Sequence, residues 1–157
     1  MHRSLAGLAL ALTVAGAAAP SQAADLVAAP GRCRATINDR VVSTGRHCSQ
    51  LVLREDISNG RLTLVFDFQD GFHLELAGPA LSIGNGGYRL TPDQMTYANP
   101  GQTNPQTLTA SPAAPLFRGR CSIVRDLSGA VLLSMDCRVG TPIGRIDAEY
   151  RPLKVKK

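Results

Sequence analysis

The chain has 157 residues, of which 17 are basic and 12 acidic, for a formal net charge of +5, and only seven residues are Phe or Tyr with no Trp. The length supports one domain with a real core, and the few aromatic residues imply a core that is mainly aliphatic and comparatively light. Those aromatic residues do not interleave with the arginines, which excludes a stacking groove for single-stranded nucleic acid.

Residues 1–23 read as a secretory leader. Arg3 supplies the charged start, residues 5–19 are rich in Leu, Ala and Val, and Ser21-Gln22-Ala23 is a small-x-small cleavage signal, so the mature chain is expected to begin near Ala24. The apolar stretch is about 15 residues, short of the roughly 20 that a membrane span needs. No other segment approaches that length. Export of the bacterial Sec type, to the periplasm or the medium, is the expectation, with residues 24–157 forming a single β domain.

Beyond the leader, strict alternation dominates and helical periodicity is nearly absent. Leu62, Leu64, Phe66 and Phe68 alternate with Thr63, Val65 and Asp67. After Gln69-Asp70-Gly71, Phe72, Leu74 and Leu76 alternate with His73 and Glu75. A loop with Gly71 in the left-handed conformation pairs Phe68 with Phe72, Phe66 with Leu74 and Leu64 with Leu76, putting all six on one buried face. Asn85-Gly86 predicts a second tight turn, between strands over 80–83 and 88–90. Residues 91–115 contain five prolines among Asn, Gln, Thr and Ser, and read as a long, mostly irregular excursion. Strand pattern resumes over 116–125 and 130–139. Ile146, Ala148 and Tyr150 alternate in a last strand, followed by the basic tail 154–157. The fold class expected is all-β, an antiparallel sandwich or small barrel of about 8–10 short strands.

The four cysteines stand in two similar frames, each opening on the same tripeptide, Gly31-Arg32-Cys33 and Gly119-Arg120-Cys121. Export makes structural disulfides the expected chemistry, with pairs Cys33–Cys48 and Cys121–Cys137. A hairpin centred on Gly129 places Cys121 opposite Cys137 and Ile123 opposite Met135. A turn at Asn38-Asp39-Arg40 puts Cys33 opposite Gly45, so a bulge near Gly45 must bring Cys48 into range. The spacings are too long for a zinc site, and no Cys-x-x-Cys motif supports thiol–disulfide catalysis.

Catalytic signals are sparse. The hairpin register places His73 opposite Asp67 on the outward face, with Glu75 two residues along. A carboxylate beside an imidazole can orient a general base, and the competing reading is a surface ion pair. No nucleophile motif accompanies it, and Glu55-Asp56, Asn59-Gly60 and Gly84-Asn85-Gly86-Gly87 read as turn chemistry rather than calcium or phosphate loops. No cofactor or metal is expected. Arginines gather near the cysteines: Arg32, Arg34 and Arg46 near one frame, Arg118, Arg120, Arg125 and Arg138 near the other. Arg32, Arg34, Arg118 and Arg120, with Tyr97 from the proline-rich stretch, are the candidate binding residues, suited to an anionic ligand or an envelope or extracellular protein. The layout resembles, at the level of architecture, small exported bacterial β proteins, including periplasmic protease and lysozyme inhibitors. The functional expectation is a non-enzymatic binding module. Its alternatives are a barrel holding a small ligand and a hydrolase using His73, Asp67 and Glu75.

Overall fold

The computed structural model describes residues 24–28, 31–38, 40–45, 48–56, 59–111 and 117–153, with backbone only at Ala24 and 40–49. The leader over 1–23, the tail 154–157, Arg46 and His47 lie outside the described residues.

Twelve strands and no helix are present among the described residues: β1 (Ala24–Val27), β2 (Gly31–Ile37), β3 (Arg40–Gly45), β4 (Cys48–Asp56), β5 (Arg61–Phe68), β6 (His73–Gly84), β7 (Gly87–Leu90), β8 (Gln94–Ala98), β9 (Gln106–Thr109), β10 (Arg118–Arg125), β11 (Leu132–Thr141) and β12 (Gly144–Pro152). All pairings are antiparallel. The strands form one curled sheet in the order β1-β4-β5-β6-β7-β10-β11-β12-β2-β3, with β8 and β9 branching from β6.

The β5–β6 hairpin follows directly from its alternation. Phe66 opposes Leu74, Leu64 opposes Leu76 and Asp67 opposes His73. Gly71 has φ +86°, and its N–H donates to the Phe68 carbonyl at 2.9 Å. The Asp70 carboxylate accepts from the Phe72 N–H at 3.1 Å, the side chain substituting for a backbone partner in the turn. Asn85 and Gly86 both have positive φ, as a type I′ turn requires.

Strand β6 runs for 12 residues and belongs to two halves of the sheet. Its first half pairs β5 on one edge and β8 on the other, and its second half pairs β7. β7 and β8 follow one another along the same edge. Between them Thr91 N–H donates to the Pro79 carbonyl at 3.0 Å and Asp93 N–H to the Ala77 carbonyl at 2.9 Å. A Cβ at Gly78 would lie 2.1 Å from the Thr91 carbonyl oxygen, so only glycine lets the two backbones approach at this bend.

This arrangement corrects the reading of residues 91–115 as mostly irregular. They contain β8 and β9, which pair with each other through Met95–Leu108 and Thr96–Thr107. The long β6 edge supplies the template. Met95 is fully buried because it faces inward beside Leu76. Short polar strands carry too weak an alternation to be seen without that template. These additions, with β1, raise the count from the expected 8–10 strands to 12.

One core serves both halves. Leu51, Leu53, Leu64, Phe66, Leu74, Leu76 and Met95 face Leu90, Ile123, Met135, Val139, Ile146 and Tyr150, all essentially excluded from solvent. The core is less aliphatic than composition implied. Phe66 stacks on Phe68 with centroids 6.0 Å apart, Phe72 lies 5.7 Å from Phe68, and Tyr150 is the largest side chain fully enclosed. The few aromatic residues are concentrated where each removes the most area from water.

Cys121 opposes Cys137 and Ile123 opposes Met135, as the spacing predicts, and the two cysteines form a disulfide with Cα atoms 3.9 Å apart. It is the one disulfide defined among the described residues. The expected Cys33–Cys48 pair rests on a side chain outside them; Cys33 itself is buried and holds no free thiol. Cys33 does oppose Gly45, but the irregularity in that hairpin falls between Ala35 and Thr36, not near Gly45. The glycines of the repeated tripeptide have different tasks. A Cβ at Gly31 would strike the Tyr150 ring, and one at Gly119 would strike the Arg138 carbonyl.

Two outcomes follow. Replacing Cys121 and Cys137 together by alanine removes a cross-link 16 residues apart in sequence. Urea unfolding should show a loss of about 3 kcal/mol. Burial raises the Tyr150 pKa above its ordinary value. Its contribution to stability is complete below the unfolded-state value of about 10 and is lost as pH climbs from there through the raised folded value. Stability measured against pH should therefore fall on the alkaline side, and Tyr150→Phe should flatten that limb.

Candidate functional site

The outward face of β5 and β6 brings the predicted histidine cluster together. His73 Nδ1 lies 2.6 Å from Asp67 Oδ1, and its Nε2 lies 3.5 Å from Glu75 Oε1. The three side chains are about a third exposed, at 27, 39 and 32%. Alternation puts them there, since their neighbours Phe66, Leu74 and Leu76 turn inward. Nδ1 is hydrogen-bonded to Asp67, while Nε2 lies only within ion-pair range of Glu75. Next along the same face come Thr96 and Thr107, whose hydroxyls lie 3.0 Å apart. Among the described residues no group of three or more His, Cys, Asp or Glu is placed to hold a metal ion.

Tyr97 is half-buried against the core, and its hydroxyl donates to Gln106 Oε1 across the β8–β9 pair. It is held within the fold rather than projecting from a loop.

The arginines are distributed over the outer face of the half-sheet β7-β10-β11-β12-β2. The two cysteine-bearing hairpins are not adjacent: β12 separates β11 from β2. Arg34 and Arg120 are therefore three strands apart, about 14 Å. The intervening positions are acidic as often as basic. Arg120, Arg138, Asp147 and Thr36 fall in one cross-strand row, and Ser122, Asp136, Glu149 and Arg34 in the next. Arg32 opposes Arg151 and Arg118 opposes Gly140.

A depression of about 320 Å³ opens in the middle of this face, over Thr36, with Arg34, Arg138 and Arg145 set against Asp136, Asp147 and Glu149. Arg145 pairs with Asp147 at 3.0 Å, while Arg138 lies 3.8 and 3.9 Å from Asp136 and Asp147. Arg34 and Glu149 are directly opposite, yet neither has an ion-pair partner among the described residues. Thr36 is 6% exposed and is the one buried polar residue among those described. The depression carries equal numbers of opposite charges rather than a basic patch. A polyanion approaching the arginines would meet three carboxylates as well.

One charged contact was not legible in the sequence. Arg125 Nη1 lies 2.7 Å from Glu55 Oε1, with the two side chains only 12 and 17% exposed. Arg125 Nη2 also donates to the Tyr88 hydroxyl at 2.5 Å, and the guanidinium carbon sits 4.5 Å from the Tyr88 ring centre. Its Nε is buried without a hydrogen-bond partner. Glu55 comes from β4 and Arg125 from β10, so this contact joins the two halves of the sheet at one end. Nothing in residue spacing could reveal it, because 70 residues separate the partners.

In comparisons with known proteins, no family model, no curated protein and no solved structure matches this chain.

The two ion-pair clusters should respond differently to mutation. Arg125→Ala strands a mostly buried carboxylate and should cost about 3 kcal/mol in urea unfolding. Asp67→Ala, on the more exposed pair, should cost no more than about 1 kcal/mol.

Proposed function

We propose that this chain is an exported, non-enzymatic binding module that recognises a protein of the cell envelope or extracellular space. The observation that carries the reading is the mixed-charge depression on the outer face of β11, β12 and β2, where Arg34 and Glu149 face each other without pairing. A side chain with no internal partner keeps its full capacity for a partner outside, and a guanidinium fork beside a carboxylate suits a surface carrying both signs of charge. A rigid sheet supports such a site well, because each side chain is held by its strand register.

Two further observations favour binding over the alternatives. His73 is hydrogen-bonded across the hairpin to Asp67, as in a cross-strand ion pair, and among the described residues no nucleophilic side chain is paired with it. The space between the two halves of the sheet is filled by Phe66, Phe72, Met95, Ile123 and Tyr150, where a ligand-holding barrel needs a lumen. Export is in keeping with a protein that holds a disulfide in its core.

The test is an affinity capture with the oxidised protein as bait against envelope and culture-supernatant extracts. One stoichiometric protein should be retained, less strongly as salt rises. The Arg34→Ala, Glu149→Ala double variant should weaken retention at least about tenfold, or about 1.4 kcal/mol. Undiminished retention by that variant would falsify the assignment of the site.

A further inference from the structure

The turn between β6 and β7, Gly84-Asn85-Gly86-Gly87, carries a single side chain, that of Asn85, and it is exposed. An asparagine that precedes a glycine is open to one particular attack. The glycine backbone nitrogen can close a five-membered ring onto the side-chain carbonyl carbon, and the missing Cβ leaves its approach unhindered. Most asparagines of this chain lack that route. Asn99 and Asn104 precede Pro100 and Pro105, whose nitrogens have no hydrogen to give up. Asn38 precedes Asp39, and its amide is tied at both ends. Its Nδ2 donates to the Ile143 carbonyl at 3.1 Å, and its Oδ1 accepts from the Arg145 N–H at 2.9 Å.

Two Asn-Gly pairs remain, Asn59-Gly60 and Asn85-Gly86, and both asparagines are exposed. They differ in how the amide is held. Asn59 Nδ2 donates to Asp56 Oδ2 at 2.8 Å, and Asn59 Oδ1 accepts from the Arg61 N–H at 3.1 Å. The plane of that amide is fixed, and its leaving nitrogen is tied to a carboxylate. The Asn85 amide has no hydrogen-bond partner among the described residues. Its backbone has φ +48°, between Gly84 at +81° and Gly86 at +71°. Attack on Cγ requires Asn85 to leave this conformation. Little opposes the departure, because an L-residue is held in the left-handed region only by the turn, and the glycines on both sides rotate freely. One bond to the adjacent turn resists it, from the Arg125 N–H to the Gly86 carbonyl, at a long 3.2 Å.

We propose that Asn85 is a site of spontaneous covalent modification, deamidation through a cyclic imide, and that Asn59 is protected from it. The Gly86 nitrogen forms a bond to Asn85 Cγ, the Cγ–Nδ2 bond breaks, and the Gly86 amide proton leaves with Nδ2 as ammonia. Water then opens the ring at either carbonyl, and the acid formed gives its proton to solvent. One product is aspartate. The other is isoaspartate, whose backbone is longer by one methylene. Either puts a carboxylate into the stretch from Leu76 to Gly87, which has no ionisable side chain. Aspartate tolerates the left-handed turn as asparagine does. Isoaspartate does not fit a two-residue turn, so the pairing of Gly84 with Gly87 is lost with it. This inference stands apart from the binding reading, since it uses none of the residues of the charged depression.

The test holds the oxidised protein in mildly alkaline buffer for days to weeks and then digests it with trypsin. The digest separates Asn59, in residues 55–61, from Asn85, in residues 62–89, and mass spectrometry reads the conversion of each. Asn85 should convert at least about tenfold faster than Asn59, where two hydrogen bonds, one of them to a carboxylate, must open first. In urea, which unfolds both turns, the two rates should come within a few-fold of each other. An Asn85 that stays intact in the folded protein while it converts in urea would overturn the proposal. So would equal rates at the two sites in the folded protein, or a tenfold gap that persists in urea.

Discussion

The rest of the structure depends on β6 keeping one apolar face inward while it changes partners. Leu74 and Leu76 close the core against Phe66 and Leu64 in its first half. Past Gly78 and Pro79 the same strand carries the second half of the sheet through β7. A strand paired on both edges has nowhere to put a mispaired backbone group, because each unpaired buried amide costs about as much as a hydrogen bond lost. The bend at Gly78 is what lets the sheet curl without losing those bonds. The curl in turn brings β4 and β10 within reach of the Glu55–Arg125 pair.

That pair and the Cys121–Cys137 disulfide act at different scales. The disulfide joins neighbours already held by a hairpin, so it acts mainly by restricting the unfolded chain. Glu55 and Arg125 join elements far apart in sequence and gain their value only once the core has formed around them. Their mutual attraction is offset by the water both groups give up, and the fit of the guanidinium over Tyr88 recovers part of that cost. Such a contact discriminates strongly between the correct closure and others, because breaking either side leaves a buried charge.

The outer surface divides along one face. Towards β2 it is polar and balanced in sign; towards the end of β6 it is apolar and uncharged. The cluster around His73 lies on the outward face of the other half of the sheet, with Asp67 across the hairpin and Glu75 two residues along.

Much of the local structure was legible in the residues. The β5–β6 register, the Asn85-Gly86 turn, the opposition of Cys121 to Cys137 and the contact of His73 with Asp67 all follow from alternation and turn chemistry. They were readable because a hairpin is short-range: a one-residue slip would turn every apolar side chain to water, so pattern and turn permit a single answer. What the tertiary structure alone decided is which hairpins become neighbours. The insertion of β12 between β11 and β2 set acids among the arginines. The length of β6 gave the proline-rich stretch a template. The joining of Glu55 to Arg125 belongs to the same class. These are long-range pairings, in which many strands share the same period of two and nearly the same propensity. Only the simultaneous filling of one core selects among them, and that is a property of the whole chain rather than of any segment.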